Sequence, residues 1–306
     1  MSTDDIASRP SHAAAARGYL LVLLAAALWA TLGIIYKYLA GTYGLPPLAV
    51  AAFRAGLGGI LLLAGLLVLR RGWLRLNRQA VRIVVLYGVF GIALFYATYI
   101  NAILTVGVAV AAVLLYTAPA WVTLIAWRFL GERLTRTHVF ALLLALAGIA
   151  LVAEIYRPDM VRLNAVGIAW GLASGLTYAL WSVFNKVGVK HTNPWTLQCY
   201  GMLIGSAVLL LFQPLTPLAG VSQSPAALAW LLLLALGPTV GASVAYAAGV
   251  RTVPVSVASL VATLEPVLAA VLAYLFLGET LSIGQVAGGA LILLAVWLLR
   301  PRNTGS

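Results

Sequence analysis

The segment TVGVAVAAVLLYTAPAWVTLIAWRFLGERL, residues Thr105–Leu134, returns at Thr252–Leu281 as TVPVSVASLVATLEPVLAAVLAYLFLGETL, 147 positions later. Twelve of the 30 aligned positions are identical, including Pro119 with Pro266 and the closing Phe-Leu-Gly-Glu. This identity is far above chance, even between two apolar sequences. The repeat therefore predicts that the chain contains two copies of one structural unit.

Composition predicts a membrane protein. Hydrophobic residues make up 63% of the chain and charged residues 8%, whereas soluble domains carry about 25% charged residues. A helix of about 20 apolar residues crosses a hydrocarbon core of about 30 Å. Ten such stretches, numbered here as runs 1 to 10, lie near 18–38, 46–69, 82–103, 107–129, 136–156, 163–186, 194–214, 226–248, 254–277 and 281–299. The sequence predicts an all-α integral membrane protein with ten transmembrane helices.

The net charge of +12 is explained by orientation in the bilayer. With the N-terminus in the cytoplasm, 15 of the 19 basic residues lie on the cytoplasmic side, five of them between runs 2 and 3. This follows the positive-inside rule and predicts a bacterial inner membrane protein with both termini cytoplasmic. A nucleic-acid partner is not predicted. A site for an anionic ligand on the loop Arg70–Arg82 is the alternative.

The duplication divides ten helices into two sets of five. An odd number makes the second set enter the membrane from the opposite side, so the repeats are predicted to be inverted around a central cavity. The expected divisions are a cytoplasmic tail (1–17), a first repeat (18–156), a connecting loop (157–162), a second repeat (163–300) and a second tail (301–306). Duplicated halves of this kind are typical of transporters with a site between them.

The motifs also resemble a known family. Each repeat ends in Pro-x₉-Phe-Leu-Gly-Glu-x-Leu, and run 2 carries Phe53-Arg54. With ten helices, these features resemble the EamA family of the drug/metabolite transporter superfamily, and within it the YddG-type exporters of aromatic and neutral amino acids. The resemblance covers about residues 18–299 and implies a ten-helix basket that exports small organic solutes. Run 7 has no arginine at the position equivalent to Arg54, so any role of this charge has no counterpart in the second repeat.

Few charged residues lie inside the predicted membrane helices. Away from loops and tails, Glu265 in run 9 is the sole acidic residue, and Arg54 is the basic residue at comparable depth. A charge at mid-depth costs about 2.5–3.5 kcal/mol on insertion scales, so it faces a cavity or a partner. Glu265 is predicted to be a proton site or an anchor for a substrate ammonium, or else one half of an ion pair with Arg54.

Runs 4 and 9 are the expected cavity walls. Pro119 and Pro266 each remove a backbone donor, so they are predicted hinges whose freed carbonyls face protein or water. Upstream, Tyr116 aligns with Thr263, and Ser259 lies four residues before Thr263 on the same helix face. Close packing through small residues is the alternative for this face.

Aromatic side chains in mid-helix complete the predicted substrate site. Rings beside hydroxyl groups suit an aromatic or neutral amphiphilic ligand, with core packing as the alternative interpretation. Run 6 carries a stripe of them at helical period. The predicted binding residues are Trp29, Tyr96, Tyr99, Tyr116, Trp170, Tyr178, Trp181, Tyr246, Ser259 and Thr263. Gly91 aligns with Pro238, so runs 3 and 8 are expected to flex at matched depth.

The sequence thus predicts a secondary transporter that exports aromatic and other neutral amino acids by alternating access. Export of other small solutes, such as cationic drugs, nucleosides or sugars, is the alternative. An intramembrane enzyme is disfavoured because none of the three histidines can join Glu265 in one site, and a channel because no charged selectivity ring is present. No cofactor, metal or catalytic residue is predicted. Proton exchange, facilitated diffusion and the oligomeric state stay open.

Overall fold

The computed structural model describes residues 12–158, 164–212, 224–278 and 280–299. Within these ranges the secondary structure is helical and includes no strand. The helices are α1 (His12–Ala30), α2 (Leu32–Tyr43), α3 (Pro47–Leu69), α4 (Arg78–Leu86), α5 (Leu94–Leu115), α6 (Ala118–Phe129), α7 (Arg136–Val152), α8 (Ala165–Gly188), α9 (Pro194–Leu210), α10 (Pro225–Leu234), α11 (Ala242–Gly249), α12 (Val255–Val261), α13 (Glu265–Leu277) and α14 (Ile283–Leu298). The predicted tails, most of the connecting loop and Glu279 lie largely or wholly outside the described residues.

The described helices have the length and hydropathy of membrane spans. Six continuous helical stretches reach membrane-spanning length, and three shorter apolar helices of 10–17 residues accompany them. One of the six stretches covers 52 residues, Arg78–Phe129, and it is divided at Gly107, whose φ of 82° is left-handed. Glycine adopts this conformation at little cost, so the chain reverses there without a long loop. The structure confirms an all-helical, multi-pass membrane protein.

Two π-helical segments lie at matched places in the repeat. One spans Tyr87–Ala93 between α4 and α5, and the other spans Ala235–Gly241 between α10 and α11. They contain Gly91 and Pro238, the residues whose alignment predicted flexibility. Pro238 has no N–H for the Leu234 carbonyl, and the Thr239 hydroxyl donates to that carbonyl instead at 2.7 Å. The wider turn therefore leaves no stranded acceptor at this position.

The helices pack in a pattern that follows the duplication. Two pairs join a helix to its own repeat equivalent, α3 with α9 and α7 with α14, and α6 of run 4 packs on α12 of run 9. Run 1 is equivalent to run 6, and run 3 to run 8. In agreement with this, α1 (run 1) packs on α11 (run 8), and α5 (run 3) packs on α8 (run 6). A two-fold relation between the halves produces this pattern of contacts.

Runs 4 and 9 are interrupted where the prolines predicted a bend, but in a different form. Run 4 breaks at Tyr116 and Thr117, and run 9 has a 3₁₀ turn at Ala262–Leu264. Pro119 and Pro266 then stand in the first turn of the new helices α6 and α13. A proline in that position has no intrahelical partner to lose, so each marks a helix start instead of a kink inside a helix.

Glycine pairs set the closest approaches between the halves. A Cβ on Gly148 of α7 would lie 2.6 Å from the Gly288 carbonyl of α14, and one on Gly288 would lie 2.5 Å from the Gly148 carbonyl. Membrane helices gain stability from this close backbone packing because lipid provides no hydrophobic drive between them. The helix ends follow the expected chemistry: Gly278 is left-handed, and Ser282 with Gln285 forms a capping box.

Candidate functional site

Three aromatic rings from three helices meet at the centre of the bundle. Trp29 of α1, Trp181 of α8 and Tyr246 of α11 have ring centroids 4.8–5.6 Å apart. All three side chains are buried, and Tyr246 has no exposed surface. These rings come from both repeats, so the structure brings together three of the predicted binding residues at the junction of the two halves.

A second group of rings continues from this centre along α5. Tyr178 stacks on Trp181 at 5.5 Å and contacts Phe95 at 5.3 Å. Phe95 in turn contacts Tyr96 at 5.2 Å and stacks with Tyr99 at 6.1 Å. Phe95, Tyr96 and Tyr99 are only half-buried, unlike the central rings. The predicted residues thus form a graded path, from packed rings to rings with accessible faces.

Arg54 lies beside this path and is held by α2, α5 and the second π-helical segment. Its guanidinium stands 4.7 Å from the Tyr96 ring centroid and 5.8 Å from that of Tyr36, to whose hydroxyl it also donates. Its Nη1 donates to the Thr239 hydroxyl at 3.0 Å. The side chain is 6% exposed, and its buried Nε has no hydrogen-bond partner among the described residues. Arg54 is therefore buried among rings with its Nε donor unused among the described residues.

Glu265 begins α13, directly after the 3₁₀ turn of run 9, and is partly exposed. Its carboxylate interacts with the Tyr116 hydroxyl and electrostatically with Tyr99 and Tyr178. Arg54 also interacts electrostatically with Glu265, but within the described residues no nitrogen of Arg54 lies within 4.0 Å of a carboxylate oxygen of Glu265. The geometry does not form the direct ion pair that was one of the two interpretations of these charges.

Three predicted site residues take other positions. The Ser259 and Thr263 hydroxyls are buried and donate to carbonyls of their own run, Ser256 O and Leu260 O. Trp170 is 36% exposed and belongs to the outer surface of α8, away from the ring cluster. The helical period of run 6 placed Trp170 on the same stripe as Trp181, but eleven residues separate them, so the stripe leaves the centre before it reaches Trp170.

A buried network of polar side chains lies next to the rings, and the sequence analysis did not predict it. The Tyr87 hydroxyl donates to Gln198 Oε1 at 2.6 Å, and Gln198 Nε2 donates to Asn185 Oδ1 at 2.7 Å. Asn185 Nδ2 donates to the Trp181 carbonyl at 2.9 Å, and all three side chains are fully buried. A polar glutamine in an apolar run was the available signal for this network. The network fixes α8, α9 and the first π-helical segment around Trp181.

At the end of the bundle near this network, one carboxylate joins the two halves and one ammonium group binds carbonyls within the second half. Glu132, from the loop after α6, accepts from the backbone N–H groups of Val255 (2.7 Å) and Ser256 (3.2 Å) and from the Ser256 hydroxyl (2.5 Å). Lys186 Nζ donates to the carbonyls of Val250 (2.6 Å) and Val253 (2.9 Å). We call these five bonds the Glu132 clasp. Glu132 precedes α7 in the chain, but its carboxylate caps α12 of the other repeat.

Other features of the described residues lie away from this region. A groove of about 290 Å³ runs over the outer surface of α7, α13 and α14 and is lined by apolar residues with Gln285. No group of three or more metal-ligating side chains occurs within the described ranges. The rings, Arg54 and Glu265 at the junction of the halves are therefore the candidate functional site.

This geometry defines a class: a multi-pass helical membrane protein of duplicated design with an aromatic, charge-bearing site between its halves. The chain matches the EamA-like transporter family twice, over residues 16–153 and 165–300. It belongs to this family. The two matches, one per half, agree with the internal repeat. Members of the family are transporters and not enzymes.

Individual relatives agree with this assignment. The chain is 36% identical to an uncharacterized transporter of Archaeoglobus fulgidus over 65% of this chain and 70% of the relative. It is 29% identical to the pseudopaline exporter CntI of Pseudomonas aeruginosa over 72% and 73%. A probable terminal-alkyne amino-acid exporter of Streptantibioticus cattleyicolor is 28% identical over 64% and 65%. A crystal structure 21% identical in sequence covers 93% of this chain and 96% of its own, with a TM-score of 0.79.

Proposed function

We propose that this protein is a secondary transporter that exports aromatic and other neutral amino acids across the bacterial inner membrane. The observation that carries the proposal is the graded path of rings from Trp181 to Tyr99, with Arg54 and Glu265 beside it. Ring faces accept apolar side chains, and a few fixed charges orient polar groups. Two of the relatives are named exporters, one of them of an amino acid.

The proposed architecture has ten membrane crossings in two inverted repeats, with both termini in the cytoplasm. The exchanged packing of α1 with α11 and α5 with α8 supports a two-fold relation, and the matched π-helical segments support equivalent halves. In this orientation the Glu132 clasp lies at the cytoplasmic end of the bundle, and Arg54 lies in the outer half. The first repeat extends over residues 18–156 and the second over 163–300.

The clasp supports alternating access. Glu132 belongs to the first repeat and caps a helix of the second, so these bonds form only while the two halves meet at this end. Beside them, Tyr87 and Tyr246 are fully buried, whereas Tyr96 and Tyr99 keep exposed surface. The proposed state is closed to the cytoplasm, and transport opens the clasp. The breaks before Pro119 and Pro266 and the π-helical segments are the proposed hinges.

A counterflow assay tests the substrate class. Purified protein in liposomes loaded with unlabelled phenylalanine is expected to accumulate labelled phenylalanine and leucine. Labelled glucose, uridine and a quaternary ammonium dye should not accumulate. Trp181→Ala removes the central ring and should abolish accumulation, while Trp170→Ala on the outer surface is the matched control and should retain it. Accumulation of the sugar, nucleoside or dye instead of amino acids would assign the broader exporter function.

A labelling experiment tests alternating access separately. In a Cys199→Ser background, a cysteine at Ser182, which is buried beneath the central rings, should react with a maleimide only from the cytoplasmic side. The rate should rise when excess phenylalanine drives exchange. Equal labelling from both sides, or a rate independent of substrate, would contradict the mechanism.

A further inference from the structure

The two opposite charges of the site, Arg54 and Glu265, do not form an ion pair with each other. Arg54 and Glu265 interact electrostatically, yet no N–O distance of 4.0 Å or less joins them in the described chain. An unpaired charge at membrane depth is costly, and unlike charges close to each other gain by direct contact. Their separation here means that each keeps binding capacity that the other does not use.

Arg54 retains the capacity to bind a carboxylate. A guanidinium has five N–H donors, and among the described residues Arg54 donates to the Thr239 hydroxyl and to the Tyr36 hydroxyl. The Nε is buried without a partner, and the side chain is held in place between the rings of Tyr96 and Tyr36. A planar guanidinium fixed in this way presents the fork that binds a carboxylate through two parallel bonds.

Glu265 retains the capacity to bind an ammonium group. Its carboxylate is partly exposed and has the Tyr116 hydroxyl as its neighbour. No lysine or arginine nitrogen approaches it within 4.0 Å in the described residues. Glu265 interacts electrostatically with Tyr99 and Tyr178, which belong to the same group of rings as Tyr96, the neighbour of Arg54. An ammonium held there would also face the ring electrons of these tyrosines.

We propose that Arg54 and Glu265 together bind a zwitterion, with Arg54 on the carboxylate and Glu265 on the ammonium of a free α-amino acid. This inference rests on the proposed function and names the chemical form of substrate that the site takes. The side chain then lies against Phe95, Tyr99 and Tyr178, which present ring surface and few hydrogen-bond partners. Side-chain selectivity is therefore broad and apolar, while recognition of the two charged groups is strict.

Competition in the counterflow assay tests this inference in the wild-type protein. Phenylethylamine lacks the carboxylate and 3-phenylpropionate lacks the ammonium, so each leaves one buried charge unpaired. Each is expected to inhibit phenylalanine exchange about 100-fold more weakly than unlabelled phenylalanine does. If either analogue inhibits within about threefold of phenylalanine, strict recognition of both groups is wrong, although amino-acid export stands. Failure of wild-type protein to exchange any amino acid would instead overturn the proposed function.

Charge-removing variants assign each group to its residue. Arg54→Gln should weaken phenylalanine binding and bring phenylethylamine to near-equal inhibition, while Glu265→Gln should do the same for 3-phenylpropionate. Arg71→Gln, in the 3₁₀ turn Arg71–Leu74 outside the site, is the matched control and should preserve the wild-type order.

Reaction of the buried Cys199 with a maleimide dye on heating checks that each variant is folded. If Arg54→Gln does not fold, Arg54→Lys keeps the charge and should lose the discrimination against phenylethylamine only in part. Unchanged discrimination in the folded variants would overturn the assignment.

Discussion

The two ends of the bundle are built differently although the chain is a duplication. At one end, the carboxylate of the Glu132 clasp joins the two repeats, and the Lys186 ammonium group binds two carbonyls within the second repeat beside it. In the other half, Arg54 contacts rings and donates to Thr239 and Tyr36, and its Nε has no partner among the described residues. Glu279, the repeat equivalent of Glu132, lies outside the described residues, so the contrast concerns the clasp and the surroundings of Arg54. In the proposed alternating-access cycle, contacts on the closed side are expected to differ from those on the other side.

Part of this difference comes from sequence differences between the two repeats. Ser256 supplies a hydroxyl to Glu132, and the aligned residue of the first repeat is Ala109, which has none. Arg54 also has no equivalent in run 7. The clasp and the surroundings of Arg54 therefore differ in chemistry, so the two proposed states of the protein should differ in stability.

The largest expected effect is at the clasp. Glu132→Ala leaves two N–H groups and a hydroxyl without their charged acceptor, at a cost of about 3 kcal/mol, or about 100-fold in a two-state equilibrium. We expect counterflow of phenylalanine to fall at least tenfold and a cysteine at Ser182 to become reactive from the cytoplasm without substrate. Glu154→Gln, an acid paired with Arg157 outside the clasp, is the control. Wild-type transport in Glu132→Ala would remove the clasp from the mechanism.

A smaller effect is expected in the buried network beside the clasp. Gln198→Leu removes the acceptor of the Tyr87 hydroxyl and the donor to Asn185, so two buried polar groups lose a partner. The expected loss is about 2 kcal/mol in the free energy of unfolding. The measurement is the temperature at which buried Cys199 becomes reactive. If the midpoint does not fall, water or a rearranged Asn185 replaces the lost bonds, and the network is not needed for stability.

At the other end, Thr239→Val tests how Arg54 is held. The variant removes the acceptor of Arg54 Nη1 and the donor to the Leu234 carbonyl. We expect an increase of about threefold to tenfold in the half-saturating concentration of phenylalanine, since Arg54 keeps its contacts with the rings but loses its hydrogen bond to Thr239. Thr105→Val, whose hydroxyl donates within its own helix, is the control. Equal effects of the two variants would show a general response to losing a threonine.

The smallest effect is expected on the outer surface. Trp170→Leu replaces one lipid-compatible side chain with another at a position that is 36% exposed. Transport rate and phenylalanine affinity should stay within about twofold of wild type, because this ring is not part of the cluster. Kinetic measurement of counterflow over a range of phenylalanine concentrations checks both values. A change beyond this range would return Trp170 to the site that sequence analysis assigned to it.

The interpretation of the prolines illustrates the limit of reading local sequence. Sequence analysis located the interruptions of runs 4 and 9 correctly, because a missing N–H acts on the chain near Pro119 and Pro266. It expected a kink within one helix, but each break ends one helix and starts another. A proline can produce a kink within one helix or a break between two helices. Which of these forms depends on the groups that pack around the carbonyls before the proline. Those groups come from other helices.

The sequence by itself determined the membrane class, the duplication and the matched positions of irregular helix in runs 3 and 8. Each of these depends on composition or on residues within a few positions of each other. Only the tertiary structure decided that Glu132 caps α12, that Gln198 bonds to Tyr87, and that Arg54 binds Thr239 and not Glu265. These partners lie more than 100 positions apart. Helical period identifies the face on which a side chain lies, but helix packing selects the residue that it meets.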